Sequence, residues 1–237
     1  MSPNRHALLR YALWLGVVNT ARANRDYFGL PTTWVFHLAL NSFTLFLPEL
    51  YRGATNVLRL APRAQTQRAC LSAAHGMMQD AVANNPYYAL YVTPVALAYM
   101  VSHPQFNIYK GDLARWRVAG FGLDALPHAL TAFAFTNLAF DALHAFHKHT
   151  PSDAQWAALA ARADEHAALV AGALLASASA FYESGEYAIH EEELRETHGD
   201  TNKINLVWSA QDTLFDLMAN ALGWLGAIWL RRWRKRW

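Results

Sequence analysis

Long apolar stretches alternate along the chain with polar, basic connectors. Six stretches have the apolarity of membrane helices: residues 7–19, 33–51, 87–101, 118–147, 166–190 or beyond, and 207–230. Each of the last three is long enough to cross a hydrocarbon core of ~30 Å at ~1.5 Å per residue. The first is short and is interrupted by Arg10. A secretory signal is its competing reading, because Arg5 and Arg10 precede an apolar core and Ala21 and Ala23 follow it. Residues 52–85 are polar and helix-compatible, suited to an amphipathic helix on the membrane surface. Residues 103–117 read as a loop with Pro104 and Gly111, and Ser152 reads as a helix cap before an alanine-rich run. No period-two alternation is sustained, so the sequence predicts an all-α fold, a polytopic integral membrane helical bundle of about six transmembrane helices. Residues 1–117 would supply the N-terminal helices, 118–230 a three-helix core, and 231–237 a basic tail.

Composition sharpens this picture. Of 237 residues, 54% are hydrophobic and only 16% are charged. Soluble domains run near ~25% charged, so a disordered chain, a coiled coil or an ordinary soluble enzyme is disfavoured. Mean hydropathy is only +0.01, because apolar spans and polar connectors average out. A net charge of +2 gives no footprint for nucleic acid. The single cysteine, Cys70, excludes an internal disulfide and a Cys-based zinc site.

Charge also sets orientation. The cluster Arg231, Arg232, Arg234, Lys235 and Arg236, interleaved with Trp233 and Trp237, belongs on the cytoplasmic side of a bacterial-type inner membrane. Six crossings then put the N-terminus inside as well. Thirteen of the twenty Lys and Arg fall inside on this topology and seven outside.

Ionisable groups within membrane segments are costly and are functional candidates. The fourth segment carries Asp124 and His128 on one face. At ~100° per residue, Glu183, Glu186 and His190 of the fifth form a stripe about 60° wide. Asp212, Asp216 and Asn220 of the sixth form one about 80° wide, with Gly223 inside it and Gln211 beside it. Lipid cannot solvate these stripes, so they should face one another. The alternating directions of the three helices bring all three clusters to the same, extracytoplasmic level.

Asp, Glu and His are ligands for a divalent metal such as Zn, Mn or Fe, and bundles build such sites from facing helices. The candidate ligands are Asp124, His128, Glu183, Glu186, His190, Asp212 and Asp216. All of these except His190 are equally candidate acid/base groups, since a carboxylate beside a histidine can move a proton. Crowded carboxylates favour proton sharing or a bound cation. Gln211 and Asn220 would orient them from behind. A purely architectural network between helices remains the alternative.

Three motifs in this order, Asp124-x3-His128, Glu183-x2-Glu186 and Gln211-Asp212-Thr213-x2-Asp216-x3-Asn220-x2-Gly223, resemble the VanZ-like membrane proteins. The double glutamate resembles most their relatives, the YjdF-type family of unknown function. The resemblance covers residues 120–226, under half the chain. It implies a small helical membrane protein with polar residues between its last helices, and it supplies no reaction. Ala125 and Ala129 stand where the family tends to have a basic and an aromatic residue. Metal binding comes from the residue types, not from the resemblance.

Elsewhere, His144, His147, His149 and His166 suggest a solvated interfacial cluster, with Asp141 the only carboxylate expected nearby. His37, with Asn41 one turn on, could ligate haem only with a partner at matching depth such as His128. Gly172 and the small residues 171–180 suit close helix packing. Trp208, Trp224, Trp229, Trp233 and Trp237 read as interface belts or lipid-facing groups. The chain is therefore expected to carry an outward-facing pocket that acts on a lipid or envelope precursor. The alternative is an accessory subunit that contacts other membrane subunits of a respiratory or photosynthetic complex.

Overall fold

A computed structural model describes residues 3–57, 65–118, 120–204 and 206–234. Among the described residues there are eight α-helices: α1 (Pro3–Phe28), α2 (Val35–Val57), α3 (Gln65–Met78), α4 (Tyr88–Met100), α5 (Ala125–His149), α6 (Ala157–Glu165), α7 (Ala167–Glu196) and α8 (Ala210–Arg234). The expected tail residues Lys235, Arg236 and Trp237 lie outside the described residues, as does the stretch 58–64 of the expected surface segment. Residues 52–57 of that segment continue α2, and most of the remainder forms α3 and a π-helical turn, Gln79–Ala83, which pack along α2 and α5 with Ala73, Ala81 and Val82 buried.

Three helices, α5, α7 and α8, are long and apolar enough to cross a membrane, which marks a membrane-associated protein. Their outer faces agree: Phe181 is 80% exposed, Leu169 68% and Trp229 67%. Apolar surface on this scale needs an apolar surrounding.

Boundaries differ from the sequence reading, beginning with α1, which runs Pro3–Phe28 where only residues 7–19 were expected. Residues 118, 121 and 122, expected in the fourth helix, belong instead to a minimal antiparallel hairpin, β1 (Arg117–Val118) with β2 (Phe121–Gly122). Gly120 turns it at φ +89, a left-handed conformation that glycine adopts freely. Ser152 is not a helix cap: it lies in a turn, and α6 begins at Ala157 behind Trp156 without a side-chain cap. The helix at the fifth apolar stretch, expected to reach residue 190 or beyond, runs to Glu196. It stops where His198 and Gly199 turn left-handed, and the Gly199 N–H donates to Leu194 O at 2.8 Å.

Two core clusters hold the bundle. One joins α1, α2 and α4 through Leu13, Val17, Leu45, Val92 and Ala96. The other joins α5, α7 and α8 through Ala139, Phe140, Ala171 and Ala227. Helices α5 and α8 approach closely at Gly223, where a Cβ would lie 2.1 Å from the Ala129 carbonyl oxygen. Across the α7–α8 seam, Trp224 lies over Gly172 and donates from Nε1 to Ala168 O at 2.9 Å. The small residues therefore serve close packing, and Trp224 faces a neighbouring helix rather than forming part of a belt.

Candidate active site

Helix direction decides where the polar side chains meet. The N-termini of α2, α5 and α8 and the C-termini of α4 and α7 gather at one end of the bundle, around a cavity of about 290 Å³. Asp124, His128, Glu183, Glu186, Asp212, Asp216 and Asn220 all line it. Asp124 is the N-cap of α5, and its Oδ1 accepts from Ala125 N at 2.9 Å. That oxygen rests against Gly122, where a Cβ would come within 2.3 Å of it. One turn on, His128 Nε2 lies 3.4 Å from Oδ1 of Asp216, which is 6% exposed. Arg117 of β1 approaches Asp212 at 3.6 Å. Thr213 donates to Glu183 Oε2 at 2.7 Å, and Asn220 Nδ2 donates to Ser179 Oγ at 3.0 Å.

Two residues expected at the site lie elsewhere. The His190 ring meets the backbone, its Nδ1 3.0 Å from Leu206 O, and is not part of the cavity wall. Gln211 is exposed and is likewise absent from the lining. Gln211 lies about 100° from Asp212 and turns outward, whereas His190 shares the stripe of Glu183 and Glu186, and a helical wheel does not record how far a helix end overhangs its neighbours.

Four further side chains, Tyr182, Tyr109, His37 and Asn41, line the cavity. Tyr182 precedes Glu183 and lies one turn before Glu186, with which it is in hydrogen-bond contact; its i,i+4 spacing could have marked it. Tyr109 comes from the loop after α4 and donates its hydroxyl to Ala98 O at 2.8 Å. Burial, followed by the charges of Asp124, Glu186 and Asp216, pushes its phenol well above the ordinary range, so it remains a donor. His37 and Asn41 of α2 also line the cavity, on the same void as His128. The His37 ring stacks on Tyr99 with centroids 4.8 Å apart.

The loops at this end are tied across it. Lys110 Nζ donates to the carbonyls of Asn202, at 3.1 Å, and Ile204, and stands over the Phe28 ring. Glu193, fully buried, accepts from Thr32 Oγ1 at 3.0 Å and from the N–H of Leu206, itself a lining residue, at 3.2 Å.

The opposite end holds the histidine cluster. Carboxylates do converge there, contrary to the sequence expectation. Asp164 Oδ2 meets His144 Nδ1 at 3.0 Å and His147 Nδ1 at 3.1 Å, and Asp80 meets Lys148 at 2.8 Å and His149 at 2.9 Å. Burial alone would raise the Asp164 carboxyl, but the two histidines outweigh it and hold it below the ordinary range. His144 and His147 remain well exposed, in keeping with a solvated cluster. Arg231 stands over the Phe140 ring at 4.4 Å and anchors the end of α8.

The fold and the cavity together define a helical, membrane-associated protein with an ionisable pocket enclosed by its helices. Comparison with protein-family models, curated proteins and solved structures found no match.

Proposed function

We propose that this chain is a multi-pass inner-membrane protein, similar in its last three helices to the VanZ-like and YjdF-type proteins. Its outward-facing cavity binds a lipid or envelope precursor and performs acid–base chemistry on it. The crossings are α1, α2, α4, α5, α7 and α8, with both termini cytoplasmic. The observation that carries the reading is one cavity taking ionisable side chains from three helices: Asp124 and His128 from α5, Glu183 and Glu186 from α7, and Asp212 and Asp216 from α8. Five carboxyl groups in so small a volume share protons or neutralise a cation. His128 beside Asp216 is the pair suited to proton transfer, the carboxyl fixing the ring while the imidazole accepts or returns the proton. The same oxygen and imidazole set favours a second occupant, a divalent Zn, Mn or Fe ion.

Asp216→Asn tests the reading, because it keeps size and hydrogen bonding but removes the charge. Native mass spectrometry and metal analysis of the protein in lipid nanodiscs should find a small-molecule adduct or stoichiometric metal on the wild type. Both should be lost from the variant, while stability changes by only about 0–2 kcal/mol. A wild type that carries nothing, and purifies only with partner subunits, would overturn the reading in favour of an accessory subunit.

Topology has its own test. A reporter fused after Trp237 should be active only in the cytoplasm. Activity solely outside would invert the cavity and remove its access to envelope precursors.

A further inference from the structure

Helices α2, α4, α5, α8 and α7 form a ring around the cavity, and the ring is open at one junction. Helix α2 packs on α4, α4 on α5, α5 on α8 and α8 on α7, but among the described residues no extended packing seam joins α7 to α2. Both helices flank the void: His37 and Leu40 of α2 line it on one side, and Leu175, Ala178 and Tyr182 of α7 on the other. At the outer end the gap is bridged, since Thr32, just before α2, donates to Glu193 of α7 at 3.0 Å. Below that bridge the rims are apolar. Phe36 and Phe43 lie about 40° and 60° round α2 from Leu40, Leu174 and Phe181 lie about 40° and 60° round α7 from Ala178, and all four are exposed. The offset has the same sign along both sequences, which in antiparallel helices puts the two rims on one outer side. Phe43 is eleven residues from Thr32 and Phe181 is twelve from Glu193, so at ~1.5 Å per residue both stand about 16–18 Å below the bridge, within the hydrocarbon layer.

We propose that the cavity is loaded from the side: the head group of an outer-leaflet lipid passes between α2 and α7 into the cavity, while its acyl tails stay in the membrane against Phe43 and Phe181. The inference rests on the ligand-binding reading above and narrows its ligand to a lipid. Loops cross the outer end, with Tyr109, Leu206 and Val207 in the cavity wall and Lys110 bonded to the carbonyls of Asn202 and Ile204. A ligand arriving from water has to part these ties, whereas a lipid already lies beside the gap. Volume separates head from tail: about 290 Å³ is the space of roughly ten waters at ~30 Å³ each, enough for a head group and too little for acyl tails. Tails gain nothing by leaving a bilayer as apolar as any side chain they would meet. A polar head group cannot rest at this depth without hydrogen-bond partners, and His128, Tyr182 and the carboxylates supply them.

The test uses the full-length protein in nanodiscs of phosphatidylethanolamine and phosphatidylglycerol. The probe is a phosphatidylethanolamine carrying a photoreactive diazirine either on its head group or near the end of an acyl chain. After irradiation, peptide mass spectrometry should find the head-group probe on Glu186 and Tyr182 inside the cavity. The tail probe should mark the rims at Phe43 and Phe181 and leave the cavity residues unmarked. Ala178→Trp, which fills the gap with an indole, should lose the head-group labelling of the cavity while the tail probe still marks Leu169 and Trp229 on the outer face. Ala173→Trp, on the exposed side of the same helix, should label as the wild type does and controls for a bulky residue on α7. A cavity left unmarked by the head-group probe overturns lateral entry, as does head-group labelling that survives Ala178→Trp. Either result leaves the acid–base pocket standing where native mass spectrometry still finds an adduct or metal on the wild type. An unmarked cavity together with an adduct-free, metal-free wild type removes both readings.

Discussion

Gly223→Val is expected to push α5 and α8 apart and leave little folded protein at physiological temperature. A Cβ at this position would lie 2.1 Å from the backbone carbonyl of Ala129 and 2.9 Å from both Ala132 Cβ and Phe133 N. Two of these three atoms are backbone, so no rotamer change relieves the clash and a whole helix must move. Overpacking a core costs about 1–3 kcal/mol and occasionally more, and a branched side chain against backbone belongs at the upper end. Gly185→Ala is the control: nothing lies within 4 Å of that Cβ, and alanine favours the helix by up to about 1 kcal/mol. Thermal unfolding in detergent should separate the two variants widely. Equal melting temperatures would mean that the α5–α8 seam is not closed at Gly223. His128 and Asp216 face each other across this same seam, so the glycine also sets their spacing.

Glu193→Ala should be the second severe substitution, costing about 2–4 kcal/mol, because it leaves two buried donors unpaired. The carboxylate is fully buried, and its loss strands the Thr32 hydroxyl and the Leu206 N–H. Glu191→Ala, two residues away and exposed, should change stability by no more than about 0.5 kcal/mol. Denaturant midpoints of the two variants give the comparison, and coincident midpoints would refute the role assigned to Glu193. Because Leu206 lines the cavity, Glu193→Ala should also loosen the end of the pocket where the carboxylates lie.

These two positions show what a one-dimensional reading can reach. Gly223 shares a helix face with Asp216, seven residues earlier, so its place at an interhelix contact follows from periodicity. Glu193 sits in the acidic run 191–193, which reads as a uniformly polar connector. Glu193 lies seven residues after Glu186 on the same helix face, so periodicity separates it from Glu191 and Glu192 once α7 is known to continue past His190. Its partners, Thr32 and Leu206, come from distant loops, and only the path of those loops brings them together.

The chain's hydrophobic period by itself determined the three long apolar helices, and its ionisable stripes determined which faces of those helices cannot meet lipid. Both are local properties: a helix repeats every ~3.6 residues whatever surrounds it, and a charge is costly in hydrocarbon wherever it sits. Tertiary structure decided the rest. It brought His37 and Asn41 of α2 and the Tyr109 loop into the cavity wall, and left His190 and Gln211 out. It set Asp164 between His144 and His147. It also buried the Asn41 side-chain oxygen with no hydrogen-bond partner among the described residues. Each of these depends on how far apart and at what depth separate helices pack, which is set by contacts such as Ala129 on Gly223 and Gly172 on Trp224, not by the spacing of residues along one segment.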